Sequence, residues 1–319
     1  MEPRFVARYT ATSVSPGRVA ALSHFLASPA APPIAVVTAT LAGDGILRGA
    51  FESNARDEAL PTYRRASGGR SVRIGDGCVY FALALPRPAE LSADVNGSNL
   101  LNRLLRPLLR AVTGEGALAH YFGRDWIAVA KRPAATVAFF HERGTGRTVI
   151  EAFLGISRSV ALSATHPSYL GKVPDSIERL AERLLLAERL TERIGHAYAV
   201  TFGFEWTPHA WPSTEAPLLA LEPPWQATAE EPIGLVGARR DAAGSLRLGG
   251  ELMISHDVLS GLTSWLDSAA TEADIDEALS TCLSGSEVAL FGLRDLSSIK
   301  RLVLALPSRG VREKLDKES

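Results

Sequence analysis

The spacing of apolar residues predicts both helices and strands in the first 200 residues. Apolar side chains recur at helical spacing over 15–27 and over 96–113, where Pro107 should bend or split the helix. Runs rich in β-branched and apolar residues predict strands instead. These runs cover 33–41, 125–130, 135–142 and 147–157.

Turn and cap residues complete the prediction for this part of the chain. Gly75-Asp76-Gly77 should turn a hairpin over 71–86, whereas 44–62 has no regular pattern. A capping box at 175–178 predicts a helix that runs to about Ala197. The order is therefore helix, strand, hairpin, helix, three strands, helix. We expect an α+β fold with helices packed on one face of a mostly antiparallel sheet.

A break in the pattern divides the chain. Five prolines and three tryptophans lie between Trp206 and Gln226 without any period. We therefore predict a large domain over 1–210, a linker over 211–229 and a small α/β domain over 230–319. The small domain should open with a hairpin that turns at 241–244, and two or three helices should follow.

Composition narrows the classes of function. The chain has 319 residues, is 46% hydrophobic and carries a net charge of −1, so no basic excess suggests nucleic acid or an anionic membrane as a partner. Two distant cysteines and no paired metal-ligand spacing argue against disulfides and a metal site. No apolar run of about 18 residues and no signal-peptide pattern appears. We expect a soluble, cytoplasmic protein.

Two basic stretches are the candidate chemistry. In "YRRASGGRSV" (63–72), arginines flank a glycine pair, so guanidinium groups could hold an anion while the backbone approaches it closely. By composition alone, an ordinary turn with solvated arginines is the commoner arrangement. The second stretch is the pair Lys131-Arg132 between two predicted strands. It could bind a phosphate or carboxylate, or it could be an exposed hairpin turn.

The stretch "RRASGGRSVRIGDGCVYFALAL" resembles the signature of the lipoate-protein ligase A family, within the superfamily of biotin and lipoate ligases and octanoyltransferases. Other segments resemble the family in the same order over nearly the whole chain. In the small domain, the family's Gly-Asp-Phe is Gly250-Glu251-Leu252 here. The resemblance implies a class II aminoacyl-synthetase/biotin-ligase-like sheet with a small C-terminal accessory domain.

The resemblance also implies an activity. ATP, with Mg²⁺ as its counter-ion, would convert lipoate or a related acyl acid to an acyl-adenylate. The acyl group would then pass to a lysine of a lipoyl-carrier domain, in a 2-oxoacid dehydrogenase or a glycine cleavage protein. Lys131 and Arg132 are the implied catalytic residues. The implied ligand contacts are Arg64, Arg65, Ser67, Gly68, Gly69, Arg70, Ser71 and Tyr80.

Departures from the family pattern keep other functions open. Family spacing puts Arg132 where a lysine is usual, so Lys131 fills that role only with a shift of one residue, and Tyr80 should shrink the acyl pocket. A catalytically lapsed homologue that binds a carrier domain or a partner subunit is therefore the alternative. An acyltransferase with a cysteine nucleophile ranks last because neither Cys78 nor Cys282 fits. A biotin ligase is disfavoured because the loop lacks that branch's repeated Gly-Arg pattern.

Overall fold

A computed structural model describes residues 4–55, 59–96, 99–284, 290–291 and 293–306. Its strands, in chain order, are β1 (Arg4–Val14), β2 (Ala35–Leu41), β3 (Asp44–Arg48), β4 (Thr62–Arg64), β5 (Val72–Gly75), β6 (Cys78–Leu85), β7 (Ala119–Tyr121), β8 (Trp126–Val129), β9 (Arg132–His141), β10 (Thr148–Gly155), β11 (Phe204–His209), β12 (Ala227–Glu231), β13 (Gly234–Arg240), β14 (Leu246–Gly250), β15 (Met253–Ile254) and β16 (Leu290–Phe291). Its α-helices are α1 (Pro16–Ala27), α2 (Leu100–Leu104), α3 (Arg106–Gly114), α4 (Ile177–Ala181), α5 (Ala187–Phe202), α6 (His256–Ser268), α7 (Glu272–Leu283) and α8 (Ser297–Leu304).

An eight-stranded sheet forms the centre of the molecule, in the order β11-β1-β2-β6-β10-β9-β8-β7. Strand β1 pairs in parallel with β2 and β11, and the other pairings of this sheet are antiparallel. The predicted α+β class with a mostly antiparallel sheet is confirmed. Strands β1 and β11, which sequence periodicity did not reveal, extend the sheet at its parallel end.

Helices cover both faces of this sheet, so the expectation of a single covered face is wrong. Every residue of β6 is buried, and successive side chains of a strand point to opposite faces. Phe81 and Leu83 share a core with α2, α3 and α5, whereas Tyr80 and Ala82 share another core with α1. A central strand that is apolar on both sides needs cover on both sides.

The predicted hairpin over 71–86 does not form. Its turn at Gly75-Asp76-Gly77 is present, but β5 pairs with β3 in a separate three-stranded sheet, in the order β4-β3-β5. Strand β6 instead lies between β2 and β10, so both of its edges are occupied. The segment 44–62, predicted to be irregular, contains β3.

The predicted helices mostly form. Helix α1 begins after Ser15, whose side chain caps it, and the helix predicted over 96–113 is split at Leu105, as Pro107 indicated. The single helix predicted from the capping box to Ala197 is wrong. It is two helices, α4 and α5, because Glu182 takes a left-handed backbone conformation and ends α4.

The described residues from 230 onward, called the C-terminal part, contain the predicted hairpin, β13–β14, and three helices after it. The predicted linker, 211–229, runs along the surface of the preceding part of the chain. This part contains the large sheet and is called the large sheet's part. The backbone N–H groups of Ala216, Leu219 and Glu222 donate to the carbonyls of Gly17, Thr62 and Asn54. Buried apolar side chains of α6 belong to the same continuous cluster as those beneath the large sheet. The division into domains stays a prediction.

Among the described residues, no helix is both long enough and apolar enough to cross a membrane.

Candidate functional site

The glycine loop, residues 65–71, lies between strand β9 and the C-terminal part. Gly68 N–H donates to the carbonyl of Phe139 in β9, and Gly69 N–H donates to the carbonyl of Leu252. Both N···O distances are 2.8 Å. A Cβ on Gly68 would come within 3.0 Å of that Leu252 oxygen, and Gly69 has a φ of +100°. Glycine is therefore required here by close contact with the chain's own residues 252–253.

The arginine pair that opens the loop is engaged within the protein. Arg65 is fully buried. Its Nε donates to Ser67 Oγ at 2.9 Å, its Nη1 to the Leu47 carbonyl at 3.0 Å and its Nη2 to the Arg70 carbonyl at 2.8 Å. Arg64 pairs with Glu222 over 2.5 Å. These guanidinium groups shape the loop and tie it to the segment after β11.

Glu151 of β10 is the buried carboxylate beneath the loop. It accepts hydrogen bonds from Tyr80 Oη over 2.5 Å, from Ser23 Oγ over 3.1 Å and from the Ser67 hydroxyl. Burial, and then the charge of Glu151, raise the pKa of Tyr80 well above its usual value. The sheet face below the loop is therefore filled by side chains that satisfy one another.

Arg70, just after the glycines, is also buried and forms an ion pair with Asp125, the residue before β8. Its guanidinium lies 4.4 Å from the ring centre of Tyr169 and also donates to Ser168. Arg73 points elsewhere and pairs with Asp44. That hydrogen bond lowers the pKa of Asp44 to about 2.

A cavity of about 610 Å³ opens beside the loop, between the two parts of the chain. We call it the loop cleft. Its lining includes charged, polar, aromatic and apolar side chains, among them Arg48, Glu52, Arg70, Ser71, His166, Tyr169, Trp225, Leu235 and Glu251. Side chains from the large sheet's part and from the C-terminal part therefore meet around one space, a common location for a ligand site.

Hydrogen bonds connect the polar side chains of the loop cleft. His166 Nε2 lies 2.8 Å from Glu251 Oε2, and this pair joins the two parts of the chain. Glu52 Oε2 accepts from the Gly49 N–H over 2.8 Å and from Ser71 Oγ over 2.6 Å. Burial, and then the neighbouring Glu251, raise the pKa of Glu52, which favours its neutral form.

Lys131 and Arg132 are not brought to the loop cleft. They lie at the β8–β9 turn, where Arg132 donates to the Val173 carbonyl over 2.8 Å. Arg132 is seven residues along β9 from Phe139, which bonds Gly68, and this corresponds to roughly 23 Å of extended strand. Lys131 is exposed. The expectation that one of these residues faces the loop from a strand end is therefore not met.

Of the predicted ligand contacts, Arg70 and Ser71 line the loop cleft. The other predicted contacts are not among its lining residues: Arg64, Arg65, Ser67, Gly68, Gly69 and Tyr80. Whether any of them touches a ligand stays a prediction. Sequence reasoning missed Arg48, Glu52 and His166, which carry no motif. Glu251 had a signal, because it stands at the family's Gly-Asp-Phe position.

The fold is similar to solved structures of lipoate ligases. The lipoate-bound LipL1 of P. falciparum matches 95% of this chain and 99% of its own, with a TM-score of 0.62 and 12% identity. A bipartite lipoate protein ligase of Thermoplasma acidophilum, solved with its E2 lipoyl domain, matches 67% of this chain and 88% of its own (TM-score 0.47, 11% identity). An ATP-bound lipoate-protein ligase A matches 67% and 90% (TM-score 0.45, 11% identity).

No protein-family model matches the sequence, and a search of curated proteins also found no match. The likeness to LipL1 covers the C-terminal part as well as the large sheet. Over nearly its whole length, this chain therefore has the fold of a lipoate-protein ligase.

Proposed function

We propose that the protein is a lipoate-protein ligase-like enzyme. It would use ATP, with Mg²⁺ as counter-ion, to activate lipoate or a related acyl acid as an acyl-adenylate. The acyl group would then pass to a lysine of a lipoyl-carrier domain, such as that of a 2-oxoacid dehydrogenase or a glycine cleavage protein. The observation that carries the proposal is the loop cleft, because it joins the glycine loop to the C-terminal part within a lipoate-ligase fold.

The side chains of the loop cleft suit a ligand with both an anionic and an apolar portion. Arg48 and Arg70 supply guanidinium groups, and Trp225 and Tyr169 supply aromatic surface. Carboxylates also line the cleft, and their negative charges would repel a phosphate. The raised pKa of Glu52 lessens that repulsion because its neutral form carries no charge. Lys131 and Arg132 have no part in this proposal, since they lie away from the cleft.

ATP–pyrophosphate exchange with lipoate and with octanoate tests the activation step. We expect exchange that depends on the acid. Leu235→Trp, at a partly exposed lining position, should suppress it by filling the cleft. Leu218→Trp is the matched control, because Leu218 is exposed and does not line the cleft. Equal exchange in both variants would place the activity elsewhere.

The second candidate is a lapsed homologue that binds a carrier domain or partner subunit without ligation. The position of the β8–β9 turn favours it, because Arg132 lies roughly 23 Å along β9 from the loop contact. The internal hydrogen bonds of Arg65 favour it too, because they leave that guanidinium few donors for a ligand. This candidate predicts carrier-domain binding by calorimetry and no exchange with any acid.

A further inference from the structure

We propose that Lys131 is itself an acyl-acceptor lysine, modified by an acyl-adenylate made in the loop cleft of a second copy of this chain. The proposal rests on the proposed function for its source of activated acyl groups. It assigns a modification site to a residue that the loop cleft leaves unused.

The turn that carries Lys131 is unusual. Val129 pairs with Arg132, so Ala130 and Lys131 alone connect β8 to β9, and their φ angles are +47° and +61°. A type I′ turn requires positive φ at both central residues and favours Asn-Gly there. Residues with a β-carbon rarely adopt this conformation, and such an outlier supports a hypothesis of function. The turn places Lys131 at the end of two paired strands.

The ammonium group of Lys131 differs from the other lysines that the structure describes. Lys300 pairs with Glu272 over 2.7 Å and with Asp276 over 2.8 Å. Lys172 lies 5.8 Å from the centre of the Trp126 ring, a cation–π contact. Within the described ranges, Lys131 has neither an ion pair nor a hydrogen bond from its side chain, and it is exposed. Among the lysines of the described residues, Lys131 therefore has the amine most available for reaction.

Acylation of Lys131 needs only the acyl-adenylate as its co-reactant. The unprotonated Nζ of Lys131 attacks the carbonyl carbon of the acyl-adenylate, and an amide N–C bond forms. The bond between the carbonyl carbon and the oxygen that it shares with the phosphate breaks. AMP leaves with the electron pair of that bond, and the amine proton passes to water. The distance along β9 to the glycine loop exceeds the reach of one side chain, so the donor is a second copy.

Mass spectrometry of the digested full-length chain tests this, after incubation with octanoate, ATP and Mg²⁺. We expect octanoyl on Lys131, its loss in Lys131→Arg and its retention in the control Lys172→Arg, with pyrophosphate exchange unchanged in both. A mixture of Lys131→Arg with Leu235→Trp tests transfer between copies. We expect octanoyl on Lys131 of the Leu235→Trp chain, which cannot activate octanoate itself.

Each contrary result overturns the inference. Pyrophosphate exchange without modification of Lys131 would agree with the proposed function but would contradict the acceptor role. Loss of exchange in Lys131→Arg by about a hundredfold or more would mean that Lys131 contacts the reacting groups instead. If wild type shows no exchange, the proposed function fails. The acceptor role of Lys131 is then tested separately, by supplying preformed octanoyl-adenylate. Modification of Lys131 no faster than that of Lys172 and Lys300 then rejects the acceptor site as well.

Discussion

At the scale of single residues, Glu151 holds the glycine loop against the sheet. It accepts the hydroxyl hydrogens of Ser23, Ser67 and Tyr80 and lies near the buried charge of Arg65. Glu151→Leu leaves these hydroxyls without that acceptor and removes the largest favourable charge acting on the Arg65 guanidinium. We expect a loss of about 3–5 kcal/mol in the free energy of unfolding, measured by urea denaturation.

Tyr80→Phe is the matched comparison for Glu151→Leu, because it removes one hydrogen bond and keeps the ring packed on Phe153. We expect it to cost about 1 kcal/mol. If Glu151→Leu cost no more than Tyr80→Phe, the carboxylate would not be what secures the loop.

The raised pKa of Glu52 makes stability depend on pH. The unfolded chain ionises this carboxyl near its ordinary pKa of 4.5, whereas the folded protein keeps the proton to higher pH. Stability therefore falls as the pH rises above that ordinary value. Glu52→Gln cannot ionise and keeps an acceptor oxygen for Gly49 and Ser71.

Thermal unfolding at two pH values checks this prediction for Glu52. Glu52→Gln should melt higher than wild type at about pH 7, and the difference should vanish near about pH 4. The control is Glu205→Gln, a change at an exposed position of β11 that should matter little at either pH. A Glu52→Gln protein less stable than wild type at neutral pH would contradict the assignment.

The contacts of the loop's side chains were not predictable from the local sequence. The stretch "YRRASGGRSV" predicted a loop whose backbone approaches a ligand closely. In the structure this backbone lies close to residues 252–253, and its approach to a ligand stays a prediction. The stretch did not reveal what its arginines bind, because their partners are distant in sequence. Arg70 meets Asp125, 55 residues away, and Ser67 meets Glu151, 84 residues away. Such pairs are set by the fold, and no local pattern records them.

At the scale of elements, the β8–β9 turn is a strained connection. Ala130 has a φ of +47°, a region that glycine occupies without the Cβ clash. Ala130→Gly should therefore raise the free energy of unfolding by up to about 1 kcal/mol. Ala242→Gly, in the β13–β14 turn where φ is not positive, should instead lower it by roughly 0.4–1 kcal/mol. Urea denaturation of both variants compares them, and the same sign for both would argue against strain at Ala130.

Element types were predictable where apolar spacing or turn chemistry was strong, as for α1, β9 and β10. Partners were less predictable. Strand β5 left the expected hairpin because β6 already has neighbours on both edges. The break between α4 and α5 at Glu182 was also hidden, because the apolar spacing continues across it.

At the scale of the whole molecule, the C-terminal part is seated on the glycine loop. Gly69 donates to the Leu252 carbonyl, and a Cβ on Gly68 would clash with that same oxygen. Gly68→Ala should therefore separate the two parts locally, and hydrogen exchange at residues 250–253 should become faster. Gly144→Ala is the control, because a Cβ there meets nothing within 4 Å. Unchanged exchange at 250–253 in Gly68→Ala would contradict this contact.

The intact mass of an acceptor shows whether this protein transfers an acyl group. An unmodified lipoyl-carrier domain is incubated with the full-length chain, lipoate, ATP and Mg²⁺, and its mass is then measured. We expect the carrier to gain one lipoyl group only when both ATP and the chain are present. Leu235→Trp should suppress this gain, and Leu218→Trp should not. A carrier that binds the chain yet keeps its original mass would contradict the ligase and favour the lapsed homologue.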